Sequence, residues 1–189
     1  MRITPRSTDV GQLQRELLQW RAGAVLTTLA VVAGVVQALV WSRIAPGEPF
    51  YVTTTGSYGG LPTGSYHQFA GVAIFALIGL AVGVTSAAGV WRWRSIRGLA
   101  TAVTLAGVNV VGALTGFLFA PVFAPGTDPA SVGAVAAQTV VTGPPTVGNL
   151  LVIVLQPAVA IAVYTFLAAW NGRPDLARNQ LQPAASQAS

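Results

Sequence analysis

This chain of 189 residues is 53% hydrophobic and only 8% charged, whereas soluble domains carry about 25% charged residues. It has no cysteine, which excludes disulfides, thiolate metal sites and a cysteine nucleophile. Its formal net charge is +5, but the arginines flank long apolar runs. We therefore attribute the basic charge to membrane topology and anionic lipid headgroups, and we expect no binding of nucleic acid.

The N-terminal segment, residues 1–21, is predicted to be cytoplasmic and to contain an amphipathic helix. Val10, Leu13, Leu17 and Trp20 follow one another at intervals of three or four residues, which places them on one face of a helix. A helix of this kind lies on the inner membrane surface, or it docks on a partner protein.

Four apolar runs follow, at about 22–44, 68–90, 99–120 and 148–170, and the only charged residue in them is Arg43, at the end of the first. Each run has about the ~20 residues that a helix needs to cross a bilayer. The predicted fold is all-α, a four-helix transmembrane domain over 22–170 with two outward loops that leave room for a small β element. The polar segment 171–189 is predicted to be a disordered cytoplasmic tail.

The distribution of arginine predicts the orientation of the spans. Nine of the ten arginines lie before span 1, between spans 2 and 3, or after span 4, and only Arg43 lies on the other side. Because positive charge collects on the cytoplasmic side, both termini are expected in the cytoplasm of a plasma-membrane protein. Tryptophans at the span ends are interpreted as an interfacial belt; they are Trp20, Trp41, Trp91, Trp93 and Trp170.

The two outward loops contain β-prone stretches. Residues 50–55 read F-Y-V-T-T-T, and Val140, Val141 and Thr142 are also typical of a strand. If both stretches form strands, they can pair into one small cap over the outer surface. The middle of the second loop, 130–141, suits either a short helix or a strand.

Few side chains suggest chemistry, and we predict no catalytic residue, cofactor or metal ligand. His67, the only histidine, lies at the outer mouth of span 2. It is a weak functional candidate that could act with Glu48 or Asp128, and the competing interpretation is a capping or interfacial side chain. One histidine and two carboxylates make a poor zinc site, which needs three or four ligands.

Within the spans, glycines and amides are the candidates for helix packing. Gly79 and Gly83 in span 2, and Gly112 and Gly116 in span 3, permit close approach of backbones. The short connection between these spans predicts a tight antiparallel hairpin that uses these glycines. The amides of Asn109 in span 3 and Gln156 in span 4 are expected to bond across to other helices.

Three stretches of the sequence resemble a family of small actinobacterial membrane proteins catalogued as domain of unknown function 2567. They are W-S-R-I-A-P at 41–46, V-W-R-W-R-S-I-R-G at 90–98 and V-Y-T-F-L-A-A-W-N-G-R-P-D-L at 163–176. The resemblance implies a mycolata-type cell envelope and a plasma-membrane location, and it implies no activity. The chain departs from the acidic pair expected before the histidine, since it reads Gly64-Ser65-Tyr66-His67.

Two functions are compatible with these features. The first is a non-enzymatic accessory or assembly subunit of a larger plasma-membrane complex, either a respiratory supercomplex or cell-envelope machinery, in contact with phospholipids. The alternative is a membrane protein that binds or transports a small molecule or lipid with its outer loops. Uncharged spans argue against an ion pump, which needs ionisable groups at membrane depth.

Overall fold

The computed structural model describes residues 7–92, 98–132 and 138–170, with backbone alone for residues 7–20, 22 and 132. Four segments are long and apolar enough to cross a membrane, so the chain is a multi-pass membrane protein. In chain order the elements are α1 (Ser7–Ile44), β1 (Glu48–Val52), β2 (Tyr58–Gly60), α2 (Gly64–Arg92), α3 (Leu99–Phe123), α4 (Pro129–Val132), β3 (Val140–Gly143) and α5 (Val152–Trp170).

The helix α1 is longer than its predicted span. The segment predicted to be a separate amphipathic helix is helical, but it forms the first turns of α1 and continues unbroken into the apolar span Gly23–Ile44. The junction reads Arg21-Ala22-Gly23-Ala24, which contains no proline to end a helix. The helix ends at Ile44 because Pro46 disfavours helical geometry in the residue before it.

The long helices do not pack in chain order. The most extensive contacts join α1 to α3 and α2 to α5, and α3 also packs on α5. By contrast, α2 and α3 make few contacts, so the prediction that spans 2 and 3 form a tightly packed hairpin is wrong. A short connection holds the ends of two helices together, but it does not decide which faces pack along their length.

Three strands cover one end of the bundle, in the order β2-β1-β3 with both pairings antiparallel. Phe50 lies opposite Val141 in β3, and Tyr51 lies opposite Gly59 in β2. The predicted pairing of the two loops is therefore confirmed, and the 130–141 region contains part of a short helix as well as the start of a strand. We call this end the cap end, and the opposite end, where α5 finishes, the terminal end.

The bundle has two apolar clusters, one near each end. The cap-end cluster is built on Trp41, Phe75 and Ala120, from α1, α2 and α3. The terminal-end cluster has Ala87, Leu105, Ala160 and Tyr164 at its centre, from α2, α3 and α5. Among the described residues, α1 contributes to the first cluster only. Residues 23–29 of α1, toward the terminal end, are exposed. The predicted tail 171–189 lies outside the described residues.

Candidate functional site

Polar side chains form a layer between the two apolar clusters. Gln37 on α1, Asn109 on α3 and Gln156 on α5 are all buried, with 3% or less of their surface exposed. Half-buried Ser86 on α2 completes the set, and we call these four residues the amide layer. Each of the four long helices therefore contributes one polar side chain to the middle of the bundle.

Hydrogen bonds link three of the four helices through Asn109. Gln156 Nε2 donates to Asn109 Oδ1 at 3.1 Å. Asn109 Nδ2 donates to Ser86 Oγ at 3.1 Å and to the Leu105 carbonyl of its own helix at 2.9 Å. Each interhelical bond of this type contributes about 0.6–2 kcal/mol in a membrane. Asn109 is the centre of the layer because it bonds to residues on two other helices.

Three amide atoms of the layer are buried and have no hydrogen-bond partner among the described residues. They are Oε1 of Gln156 and both Oε1 and Nε2 of Gln37. Gln156 Oε1 and Gln37 Nε2 each lie 3.7 Å from the position that a Cβ atom on Gly79 would occupy. A buried polar atom without a partner costs about 1–3 kcal/mol. Stability alone therefore does not explain why glutamines occupy these positions.

The predicted glycines are buried, but they face partners outside the predicted hairpin. A Cβ on Gly83 would lie 2.7 Å from the carbonyl oxygen of Gln156 on α5. A Cβ on Gly112 would lie 3.3 Å from the Ala30 carbonyl oxygen of α1, and one on Gly116 would lie 3.3 Å from the Gly34 carbonyl oxygen. These residues thus join α2 to α5 and α3 to α1.

Gly34, which sequence analysis missed, makes the closest of these approaches. A Cβ there would overlap the carbonyl oxygen of Gly112 and lie 2.7 Å from Cβ of Thr115. The sequence does contain a signal for this contact, because Ala30 lies four residues before Gly34. Two small residues at this spacing indicate close helix packing, as paired glycines do.

At the cap end, the carboxylate of Glu48 joins three segments of the chain. Glu48 is only 5% exposed; its Oε2 accepts a hydrogen bond from Gln68 Nε2 at 3.1 Å, and its Oε1 accepts one from Thr146 Oγ1. The sheet is thereby attached to α2 and to the segment before α5. Sequence analysis considered Glu48 only as a partner for His67, and a single acidic residue in a loop gives no signal of burial.

The structure does not bring His67 together with either carboxylate. His67 Nδ1 lies 2.9 Å from the carbonyl oxygen of Thr63, one turn earlier. Asp128 Oδ1 accepts a hydrogen bond from the backbone N–H of Ala130 in α4. His67 thus has the local contact of a residue at a helix start, and the described residues contain no group of three potential metal ligands.

Two aromatic residues near the helix ends hold backbone segments in place. Trp41 is fully buried, packs edge-to-face on Phe75 and donates from Nε1 to the Gly71 carbonyl at 2.7 Å. Its interpretation as an interfacial residue is therefore wrong, whereas Trp170 is 81% exposed. The Tyr164 hydroxyl accepts a hydrogen bond at 3.0 Å from the N–H of Gly98, the residue before α3.

A cleft of about 490 Å³ lies between the terminal halves of α1, α2 and α3. It exists because α2 and α3 make few contacts and α1 leaves the core on this side. Its walls include Leu26, Ser86, Gly89, Leu105 and Val108, and none of the described residues that line it is charged. The cleft is thus at the opposite end of the bundle from the loops that sequence analysis favoured for binding.

Comparison with known proteins identifies no family, curated protein or solved structure that matches this chain.

Proposed function

We propose that this protein is a non-enzymatic accessory subunit of a larger plasma-membrane complex, and that it docks through the N-terminal part of α1. The observation that carries the proposal is the length of α1, an unbroken helix of 38 residues. Its apolar span takes 22 residues, which leaves 16 of the 38 (residues 7–22) outside the apolar span. At 1.5 Å per residue this extension is about 24 Å long.

The extension suits a partner protein better than the membrane surface. A helix that lies on the surface must turn away from the span that follows it, and α1 contains no break where it would turn. The intervals between Val10, Leu13, Leu17 and Trp20 are three, four and three residues, which is the spacing of a helix that pairs with another helix. Residues 23–29, where the extension meets the bundle, are exposed.

The remaining features support a partner-dependent role. The glycines pack within the chain, so the contact surface proposed for the partner is the extension and not a glycine stripe. The carboxylate of Glu48 and the imidazole of His67 are each engaged by neighbouring groups, which favours a non-enzymatic role. A respiratory supercomplex or cell-envelope machinery is the proposed host, in keeping with the resemblance to the actinobacterial family.

Binding of a small molecule by the outer loops has less support. The strands of the two loops pair with each other, and the Glu48 side chain ties the sheet to the helices. The cleft lies at the other end of the bundle, so a lipid bound there would not contact these loops.

Docking through the extension predicts that Leu13→Asp combined with Leu17→Asp will release the partner. The matched control is Gln12→Asp combined with Gln19→Asp, which adds the same charge at positions outside the apolar spacing. Tagged full-length protein is purified in mild detergent, and co-purifying membrane proteins are quantified relative to it. Because burial of one leucine is worth about 1.5–3 kcal/mol, we expect the leucine variant to lose its partner at least about tenfold. Equal recovery with both variants would refute docking through the extension.

The arginine distribution predicts that the cap end faces outward and both termini face the cytoplasm. The chain has no cysteine, so single cysteines can be introduced at the exposed residues Thr55 and Ala130 and, for comparison, at Ser186. In intact cells an impermeant maleimide should label the first two positions and leave the third unlabelled until the cells are opened. The reverse pattern would overturn this orientation and place the proposed partner on the outer side.

A further inference from the structure

We infer that the cleft between α1, α2 and α3 holds one acyl chain of an anionic phospholipid, and that Arg92 binds its headgroup phosphate. This site is separate from the α1 extension and does not depend on the proposed function. Four properties of the cleft support this site: its depth in the membrane, the apolar character of its walls, its size and the charge beside it.

The depth of the cleft selects a hydrocarbon occupant. The wall residues on α2 and α3 belong to membrane-spanning segments. Ser86 precedes Arg92, the last residue of α2, by six positions, which corresponds to about 9 Å along the helix. The cleft therefore lies within the hydrocarbon layer of the leaflet at the terminal end, where acyl chains are the surrounding medium.

The walls present apolar surface even where their residues have hydroxyl groups. Thr104 Oγ1 donates to the carbonyl of Ala100 in its own helix at 2.9 Å. Ser86 Oγ lies 3.0 Å from its acceptor, the Gly83 carbonyl, and accepts from Asn109 Nδ2. Because these hydroxyls are engaged with the protein, the walls favour a hydrocarbon chain over a polar group. The volume of about 490 Å³ is within the ~300–1,000 Å³ typical of ligand pockets.

The charge at the mouth of the cleft selects the headgroup. Arg92 is exposed in the last turn of α2, three positions beyond Gly89 in the wall, and residues three apart are neighbours on one face of a helix. A guanidinium group at the edge of a leaflet attracts anionic lipid and binds phosphate in a bidentate manner. A phospholipid whose acyl chain lies against Gly89 and Val90 therefore has its phosphate at the level of Arg92.

Two variants test the two halves of the site separately. In Gly89→Leu the added Cβ has no atom of the described residues within 4 Å, and the larger side chain narrows the cleft that Gly89 lines; the control is Ala88→Leu, at an exposed residue outside the walls. In Arg92→Gln the phosphate contact is lost; the control is Arg43→Gln, at an exposed arginine in the last turn of α1 at the cap end. All four variants are expected to fold.

The measurement is native mass spectrometry of the full-length protein in detergent. The protein is titrated with phosphatidylglycerol and, separately, with phosphatidylcholine. The parent should retain one phosphatidylglycerol. Arg92→Gln should weaken its binding about fivefold, the effect of one arginine near the surface, and should weaken phosphatidylcholine binding less, because the choline cation already offsets the charge of that lipid's phosphate. Gly89→Leu should weaken the binding of both lipids about tenfold or more, and both controls should match the parent. If Arg43→Gln weakens binding as much as Arg92→Gln, or Gly89→Leu binds as the parent does, the site is refuted.

Discussion

Replacing Gly83 with alanine is expected to lower the free energy of unfolding in detergent by about 1–3 kcal/mol, the usual cost of overpacking a well-packed site. The added methyl group would lie 2.7 Å from the Gln156 carbonyl oxygen and 3.3 Å from the Ala160 nitrogen. Both are backbone atoms of α5, so no side-chain rotation relieves the contact and the two helices must separate. Steric-trap unfolding, or thermal unfolding followed by size-exclusion chromatography, measures the effect.

Two other glycines are the controls for this prediction. Gly107 on α3 has no atom within 4 Å of a Cβ position, and at Gly79 the nearest atom is 3.5 Å away, an ordinary van der Waals distance. Alanine at either position should leave stability within about 1 kcal/mol of the parent, because alanine also favours the helix over glycine. If all three alanine variants unfold alike, α2 does not pack on α5 through Gly83.

Trp41→Ala is expected to cost more, about 3–5 kcal/mol, which is the range for removing a buried tryptophan or phenylalanine side chain. The indole is fully buried at the junction of three helices, and it also donates a hydrogen bond to the Gly71 carbonyl. Trp41→Phe retains most of the packing but loses this hydrogen bond between α1 and α2, so we expect an intermediate loss. The measurement is again unfolding in detergent, with intrinsic tryptophan fluorescence as a second signal.

Trp170→Ala is the matched control, because Trp170 also stands at the end of a span but is 81% exposed. Its removal should change the free energy of unfolding little. Equal effects at the two positions would restore the interfacial interpretation of Trp41. A large effect at Trp41 alone establishes that the indole belongs to the core and that the cap-end cluster stabilises the bundle.

The features that sequence analysis predicted correctly depend on local properties of the chain. A long apolar run identifies a membrane-spanning helix, because apolar residues over that length have few alternatives to burial in lipid. The same holds for the cap, where aromatic and β-branched residues signalled β1 and β3, the strands that pair across the two loops, whereas β2 contains two glycines and gave no such signal.

The incorrect predictions concern contacts between distant segments. Small residues show that a helix can pack closely, but not which helix it meets, so the hairpin predicted between the glycines of α2 and those of α3 differs from the observed contacts with α5 and α1. Trp41 has the same position in its span as an interfacial tryptophan, and only the partners Phe75 and Gly71 reveal its burial. The unpaired amide atoms of Gln37 and Gln156 depend on side-chain geometry and leave no signal in the sequence.

The pairing of helices across the two hairpins also determines how the protein is assembled. During synthesis α1 and α2 enter the membrane first, yet the main packing partners of these helices are α3 and α5. The surface of α1 around Gly34 is covered only after α3 is inserted, and the surface of α2 around Gly83 is covered only after α5, the last helix, is inserted. Neither hairpin completes its packing by itself, so the native bundle forms only after synthesis of the fourth span. Early release of the nascent chain therefore yields an open assembly with its glycine surfaces exposed.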